Sequence, residues 1–412
     1  MSKTFHIRPG DPDYTDSKRP DVIHNPALYS PGEPFQVVIK QGITEIENDA
    51  FEEYALMTSV VIPDTVKRIG ALAFSECTGL TSLVIPGGVE VIELEAFRGC
   101  TGLTSVVING TKEIGINTFA DCKNLTSVVL NDVKELEGGA FSDCIRLKSV
   151  TFSGCVPKFG GGVFSGCRSL RQDIVFDGTL YHIGKQSGKV VIPDGVRTIG
   201  PGALQNFRRM TSVVIPDSVT EIAEGAFWGC TGLTSVAIPD SVTKIGKDAF
   251  SYTGLTSVVI PDSVTEIGIR AFMWCKNLTS VVVPGSVKII DFMTFHGCKK
   301  LTSVEIQNGV TEIGKGAFLY CPKLKSVVIP ESVTKIGADA FHDCERLTSV
   351  VIPDSVTKIG DDAFAGCKRL KSVVLPNGVK LGRNAFKGCP CEKAVKAGRR
   401  RRPAGSGQEV SG

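Results

Sequence analysis

The stretch Leu347–Arg369, LTSVVIPDSVTKIGDDAFAGCKR, decides the fold, because nearly all of the chain from Phe35 to Cys391 is a copy of it displaced by 22 or 23 residues. A phenylalanine fixes the register of the copies, and Leu204 replaces it in one unit. About fifteen copies of this length indicate a solenoid, in which each coil buries a core only against its neighbours. The phenylalanines are Phe51, Phe74, Phe97, Phe119, Phe141, Phe164, Phe227, Phe250, Phe272, Phe295, Phe318, Phe341, Phe364 and Phe386.

Each coil contains a strand and then a series of turns. In Ser349–Ile352, the inward-pointing Val350 and Ile352 alternate with Ser349 and Val351, which point outward. This is the period of two that a β-strand shows. Pro353 ends the strand, since it lacks an N–H for a parallel ladder. The spacing within Ala363–Cys367 predicts a short helical or 3₁₀ turn that directs Phe and Cys into the core.

The repeat pattern, L-x-x-[VL]-x-[IL]-P-x-x-V-x-x-I-x-x-x-A-F-x-x-C, resembles the treponemal-type, BspA-like leucine-rich repeat family over most of the chain. The resemblance implies an α/β repeat solenoid, curved and right-handed, with a parallel β-sheet on one face and short helical turns on the other. Family members are often cell-surface antigens or adhesins that bind proteins.

The repeats divide the chain into five segments. Six prolines and few large apolar residues in 1–34 predict an extended segment or a partial cap, and the basic, Gly/Ser-containing end is expected to be disordered. The segments are 1–34, the first repeat array 35–169, an insertion 170–190, the second repeat array 191–391 and the tail 392–412.

The insertion predicts a β-hairpin. Asp177-Gly178 separates the apolar segments Ile174–Phe176 and Thr179–Ile183, and this dipeptide favours a two-residue hairpin turn. We expect the hairpin to project from the solenoid.

Composition limits the classes of function and the location of the protein. A formal net charge of +3 argues against a protein devoted as a whole to nucleic acid. The sequence contains no run of 18 apolar residues, which a membrane-spanning helix would need. No apolar segment typical of a secretory signal follows Met1. We expect a cytoplasmic protein; the alternatives are the nucleus, through the Arg-rich tail, and the cell surface, by an unrecognised route.

Twelve of the fourteen cysteines lie three residues after the repeat phenylalanine or its equivalent, a core position. Tyr54, Phe207 and Thr253 occupy this position in other coils, so it requires packing rather than a thiolate. We predict buried, reduced thiols, with disulfides between neighbouring coils as an alternative in an oxidising compartment. No paired zinc-ligand spacing occurs. Cys391, outside the register, is expected to be the most reactive thiol.

The sequence contains no constellation typical of an enzyme. The five histidines are far apart in sequence, and His296 and His342 occupy one repeat position two coils apart. No nucleophile elbow, phosphate loop or zinc-protease motif is present. We predict a non-enzymatic protein with no metal and no cofactor.

Two rows of side chains are candidate protein-binding surfaces. The outward strand position is mostly valine, and in the second array it includes Val214, Val259, Val282, Val328 and Val351. Contiguous exposed apolar surface favours binding, although β-branched residues also stabilise strands. The second row holds a large ring in each of five successive coils, where other coils vary freely; interface anchors are often such rings. Its members are Trp228, Tyr252, Trp274, His296 and Tyr320.

The sequence supports three hypotheses of function. The leading one is a non-catalytic scaffold that binds a protein partner. A surface adhesin is the second, and it rests on the resemblance. The third is binding of nucleic acid or another polyanion through the basic residues that precede each strand and through the tail, Arg399, Arg400, Arg401 and Arg402.

Overall fold

A computed structural model describes residues 3–12, 14–16, 18–24, 32–155, 157–184, 188–400 and 408–411. The chain forms two compact units. The first contains Met1–Gln186 and Pro201–Ala203, and the second contains Ser187–Gly200 and Leu204–Gly412. Both are stacks of the predicted coils, in which most coils contribute a longer first strand and a two-residue second strand.

In the first unit the two strands of each coil form two parallel ladders with the strands of the next coil. The first strands form two sheets, with Lys3–Ile7, Phe35–Ile39 and Met57–Val61 in one and Ser82–Ile85, Ser105–Asn109, Ser127–Asn131 and Ser149–Ser153 in the other. The second-strand ladder consists of Arg19–Ile23, Glu45–Ile46, Arg68–Ile69, Val91–Ile92, Glu113–Ile114, Glu135–Leu136 and Lys158–Phe159, and Thr15–Asp16 adds an antiparallel strand at its start. A hairpin comes next, Ile174–Phe176 and Thr179–His182.

The second unit repeats this arrangement. Its first strands are Lys189–Val191, Ser212–Val214, Ser235–Val236, Ser280–Val283, Ser303–Ile306, Ser326–Val328, Ser349–Val351 and Ser372–Leu375. Its second strands are Thr198–Ile199, Glu221–Ile222, Lys244–Ile245, Glu266–Ile267, Ile289–Ile290, Glu312–Ile313, Lys335–Ile336, Lys358–Ile359 and Lys380–Leu381. A helix, Glu392–Arg400, and a strand, Gln408–Ser411, end the chain.

The ladders keep equivalent residues of successive coils side by side. Val106 pairs with Val128 and Val128 with Val150, and all three are buried. Because the register never slips within such a run, each repeat position becomes a column along the stack. Each surface of the protein is therefore built from columns of equivalent residues.

The N-terminal residues begin the first stack. Lys3–Ile7 pairs in parallel with Phe35–Ile39, while Thr15–Asp16 and Arg19–Ile23 form an antiparallel pair. Ile7 and Ile23 are fully buried. This segment therefore covers the apolar edge that the first complete coil would otherwise expose.

The hairpin is present, but it does not project. Asp177 and Gly178 have φ values of 46° and 70°, as a two-residue hairpin turn requires. Leu180 is fully buried, and the ring of Tyr181 stacks on Phe159 at a centroid distance of 4.3 Å. The expectation of a projecting hairpin is wrong because its apolar residues pack on the last coil of the first unit.

Consecutive turns replace the short helical segments that the sequence predicted around each phenylalanine. The residues two positions before and two positions after each repeat phenylalanine have positive φ, as Leu72 and Glu76 do on either side of Phe74. Every second N–H then donates to the next coil: that of Phe74 to Ala96 O at 2.7 Å and that of Glu76 to Arg98 O at 2.7 Å. A helix would close these bonds within the coil, so the turns add a third ladder instead.

The repeat phenylalanines stack in the core. Their centroids lie 5.0–5.9 Å apart in the first unit and 5.0–5.4 Å apart from Phe227 to Phe386 in the second, with nearly parallel rings. An offset parallel arrangement is a favourable geometry for aromatic pairs. The spacing results from the parallel ladders, whose strands lie about 4.8 Å apart.

The end of the chain differs from the expected disordered tail. Glu392–Arg400 is a helix whose Glu392 side chain accepts from the Gly388 N–H at 2.9 Å, and Cys391 and Val395 are buried against the last coil. Gln408–Ser411 pairs antiparallel with Ser372–Leu375. Composition alone misses these contacts because the apolar anchors are few. No helix in the described ranges has the length and apolar character that a membrane crossing needs.

The phenylalanine stack predicts a position-dependent cost of truncation. Phe341 stacks on both Phe318 and Phe364, whereas Phe386 stacks on Phe364 alone. We expect Phe341→Ala to lower the free energy of unfolding by about 3–5 kcal/mol by leaving a cavity, and Phe386→Ala to cost less. Urea unfolding monitored by circular dichroism measures both. Equal losses would contradict a core built coil by coil.

Candidate functional site

The outward column of the first strands in the second unit is exposed and mostly apolar, and we call it the valine face. Its flanking positions in sequence are buried: Val350 and Ile352 are each 2% exposed, on either side of Val351. The exposed members are Val191, which pairs with Val214, and the five predicted valines Val214, Val259, Val282, Val328 and Val351, at 56, 43, 75, 38, 69 and 62% exposure. All five predicted positions therefore face solvent.

The valine face is not uniform. Ala237 pairs with Val259, which leaves a small side chain in the column, and Glu305 pairs with both Val282 and Val328, which places a charge in it. The equivalent column of the first unit has exposed Val61 and Val84, at 53 and 58%. Its next two valines are half-buried.

The five predicted rings form one continuous row. Trp228 meets Tyr252 edge to face at 5.7 Å between centroids, and Tyr252 stacks with Trp274 at 6.5 Å. Trp274 then meets His296 edge to face at 5.3 Å and Tyr320 at 6.2 Å. Tyr252 and Tyr320 are exposed and the other three rings are half-buried, so the row is partly packed against the coils and partly open to solvent.

Three of these rings occupy a backbone conformation that disfavours large side chains. Tyr252, Trp274 and Tyr320 lie two residues after the repeat phenylalanine, with φ of 59°, 57° and 59°. Every other coil has Gly, Asp, Asn or Glu there. Positive φ in a bulky residue is uncommon and costs about 1–3 kcal/mol. Trp228 and His296 avoid this cost, since each lies one residue earlier and precedes a glycine.

Lysines cover part of the row. The ammonium groups of Lys276 and Lys299 each lie 5.4 Å from the centroid of a Trp274 ring, and that of Lys299 lies 5.5 Å from the Tyr320 ring. These are cation–π distances. From the sequence alone, both lysines belong to the basic residues before the strands, and their contact with the rings was missed. Their common position, four residues after the repeat phenylalanine, was the available signal.

His296 is a half-buried member of the row. Burial lowers the pKa of its imidazole from its ordinary value, and a hydrogen bond from the ring to Leu319 O, at 3.1 Å from Nδ1, opposes that shift. His342 instead lies beside Asp339 and Asp343. The two histidines thus have separate surroundings and do not share a site.

The remaining candidates are charged. Of the tail arginines, Arg399 and Arg400 end the helix, and Arg401 and Arg402 lie outside the described residues. Within the described ranges, no three His, Cys, Asp or Glu side chains are grouped to hold a metal ion.

The cysteine column belongs to the core. The twelve in-register cysteines are buried free thiols. A thiol donates to the carbonyl oxygen of the phenylalanine in the preceding coil, as Cys77 does to Phe51 O at 3.1 Å and Cys275 to Phe250 O at 3.2 Å. Burial raises the pKa of Cys77 to about 12 and that of Cys275 to about 11. Such thiols are poor nucleophiles.

The expectation that Cys391 is the most reactive thiol is wrong. Cys391 is fully buried beneath the final helix, whereas Cys155, also outside the register, is partly exposed. The Cys155 sulfur lies 3.3 Å from the Lys134 ammonium. Register alone could not separate the two cysteines, because their exposure depends on whether a later segment of the chain packs over them.

A match to a known family of repeat proteins agrees with the stack of coils described above. The stacked coils with parallel ladders define a solenoid repeat protein. The model of the BspA type leucine-rich repeat region (6 copies) matches residues 44–171, 184–279 and 265–392. The chain belongs to the BspA-type leucine-rich repeat family. A comparison with curated proteins gives no match.

Solved structures of bacterial leucine-rich repeat proteins are similar to the chain. One from Bacteroides ovatus is 26% identical, with 94% of this chain and 85% of that chain covered and a TM-score of 0.45. One from Eubacterium ventriosum is 20% identical, with coverages of 86% and 82% and a TM-score of 0.46. A leucine rich cell surface protein from Faecalibacterium prausnitzii is 26% identical, with coverages of 74% and 90% and a TM-score of 0.35.

Differences in exposure predict which thiol reacts. In the native protein we expect a disulfide reagent such as DTNB to titrate about one thiol rapidly, at Cys155, because exposure and thiolate formation control reactivity. Denaturation should expose all fourteen. Cys155→Ser should remove the rapid phase, while Cys391→Ser should leave it unchanged. A rapid phase that survives Cys155→Ser would refute the assignment.

Contact between Trp274 and the next coil predicts a specific requirement for glycine. A Cβ at Gly297, where φ is 72°, would lie 2.8 Å from Trp274 Cδ2, whereas one at Gly378, where φ is 78°, would meet nothing within 4 Å. Gly378→Ala should therefore cost about 1–2 kcal/mol from the backbone alone. Gly297→Ala should cost more and shift tryptophan emission. Equal costs with unchanged emission would show that Trp274 does not pack there.

Proposed function

We propose that this protein is a non-catalytic interaction scaffold whose valine face, in the second unit, binds a partner protein. The exposed valines carry the proposal, since soluble proteins seldom leave a contiguous apolar surface uncovered. Val259, Val328 and Val351 are each more than 60% exposed, although the adjacent strand residues are buried.

The frame of the solenoid suits such a surface. Within each sheet the first strands are held in register by parallel pairing, as in the pairing of Glu305 with both Val282 and Val328, so these side chains are ordered before a partner arrives and little conformational entropy is lost on binding. Outward-facing serines, such as Ser349, lie two residues before each valine and offer hydrogen bonds at the border of the apolar column. An apolar centre with a polar rim is the usual anatomy of a protein interface.

Buried thiols support a structural rather than a chemical use of the cysteine column. Burial raises the pKa of Cys230 and of Cys321 to about 12, and their thiols donate to backbone carbonyls of the preceding coil. A nucleophilic cysteine needs the opposite environment, with exposure and a lowered pKa. These cysteines therefore fill the core, and the outer columns carry recognition.

Lysine substitutions on the valine face test the proposal. Val259→Lys and Val328→Lys should each weaken capture of the partner at least about tenfold, because a charge at the centre of an apolar interface is costly to desolvate. Immobilised full-length protein and its variants would be compared by quantitative mass spectrometry of the proteins they retain. The same partner must bind the wild type and be lost from both variants.

Val84→Lys is the matched control, since Val84 occupies the same repeat position in the first unit with 58% exposure. It should retain capture. Each substitution should change the free energy of unfolding by less than about 1 kcal/mol, since the position is exposed. Retention of every partner by Val259→Lys and Val328→Lys would refute the valine face as the site.

A further inference from the structure

We propose that the aromatic row and its lysines form a second binding site, for an acidic segment of a partner protein that carries apolar side chains. The site, which we call the ring–lysine cluster, consists of Trp228, Tyr252, Trp274, His296 and Tyr320 with Lys276 and Lys299. It lies on the turns of the coils, whereas the valine face lies on the first strands, so the two surfaces use different repeat positions.

The cluster is more than core packing that reaches the surface. The core in these coils is already filled by the phenylalanine stack, in which Phe250, Phe272 and Phe318 are fully buried. The rings of the row lie outside that stack, and Tyr252 and Tyr320 remain 38 and 40% exposed. Three rings also occupy the positive-φ position that other coils give to Gly, Asp, Asn or Glu. Backbone strain with exposed rings is characteristic of functional sites.

The available polar groups of the cluster are hydrogen-bond donors. Lysine ammonium groups, indole N–H groups and tyrosine hydroxyls can all donate. Among the described residues, the side-chain N–H and O–H groups of Trp228, Tyr252, Trp274 and Tyr320 have no hydrogen-bond partner within the chain. A ligand rich in acceptors, such as carboxylates, complements this set.

Charge supports the same ligand. Lys276, Lys299, Lys300 and Lys323 are exposed and form no ion pair within the part of the chain that the structure describes. Elsewhere on these turns lysines are paired, as Lys247 is with Glu224 at 2.5 Å and Lys368 with Glu345 at 2.6 Å. The cluster thus combines unneutralised positive charge with apolar rings.

The arrangement of the rings favours a peptide over a single-stranded nucleic acid. Bases bind by stacking on free ring faces. Here the Tyr252 and Trp274 faces are directed at each other, with an interplanar angle of 15°, and lysines lie over the Trp274 ring. Tyr252 and Tyr320 remain exposed. Apolar side chains can pack against these two rings while neighbouring carboxylates reach the lysines.

Tryptophan fluorescence provides a direct test, because the only two tryptophans of the chain, Trp228 and Trp274, both belong to the cluster. The probe is a synthetic dodecapeptide of repeated Glu-Asp-Leu added to the full-length protein. We expect a saturable change in emission that weakens with added salt, as screening of the lysines requires. The same peptide with lysine in place of both acidic residues should produce no change.

Substitutions locate the binding on the cluster. Measured by anisotropy of the labelled acidic peptide, Trp274→Ala and the double variant Lys276→Ala/Lys299→Ala should each weaken binding about tenfold or more. Lys368→Ala is the matched control, since Lys368 occupies the same repeat position but is paired with Glu345, and it should bind as the wild type does. Urea unfolding of each variant shows whether the fold is retained.

Several outcomes would overturn the proposal. These are no response to the acidic peptide, an equal response to the lysine peptide, or unchanged affinity in the folded cluster variants. Tighter binding of an oligouridylate than of the acidic peptide would assign the cluster to nucleic acid instead. The valine-face variants Val259→Lys and Val328→Lys should bind the acidic peptide normally, so failure of one site is distinguishable from failure of the other.

Discussion

The rest of the structure depends on the spacing between coils, which parallel backbone ladders set and phenylalanine stacking fills. Rings such as Phe250 and Phe272 lie 5.3 Å apart because the strands beside them are hydrogen-bonded. At this spacing each repeat position forms a column of side chains from successive coils, and in the phenylalanine column neighbouring rings stack. Stability and function are then both properties of columns, because a side chain acts together with its equivalents one coil away.

The turns show how the side chains of a column can change while the backbone hydrogen bonds between coils are kept. Positive φ two residues after the phenylalanine turns every second N–H toward the next coil, as in the bond from Trp274 N to His296 O at 2.7 Å. Since the backbone bonds are independent of side chains, the position tolerates Asp343, Gly366 or Tyr320. Recognition can therefore change on the turns while the ladders remain intact.

Much of this architecture could be predicted from the sequence. The period, the strand after Leu347, the buried phenylalanine and cysteine columns and the Asp177-Gly178 hairpin are all local patterns or repeated ones. The predicted helical turns were wrong because a short spacing of apolar residues fits both a helix and a series of turns. Only the choice of hydrogen-bond partner, within the coil or in the next coil, separates the two.

The sequence by itself determined the repeat frame and which residues share a column, because both result from a fixed period. The tertiary structure decided which residues each column contacts. It placed Lys299 over the Trp274 and Tyr320 rings, required glycine at Gly297 and buried Cys391 beneath the final helix while leaving Cys155 partly exposed. These contacts join residues that are about one coil apart, or depend on how an end is covered, and neither is encoded in the repeat unit.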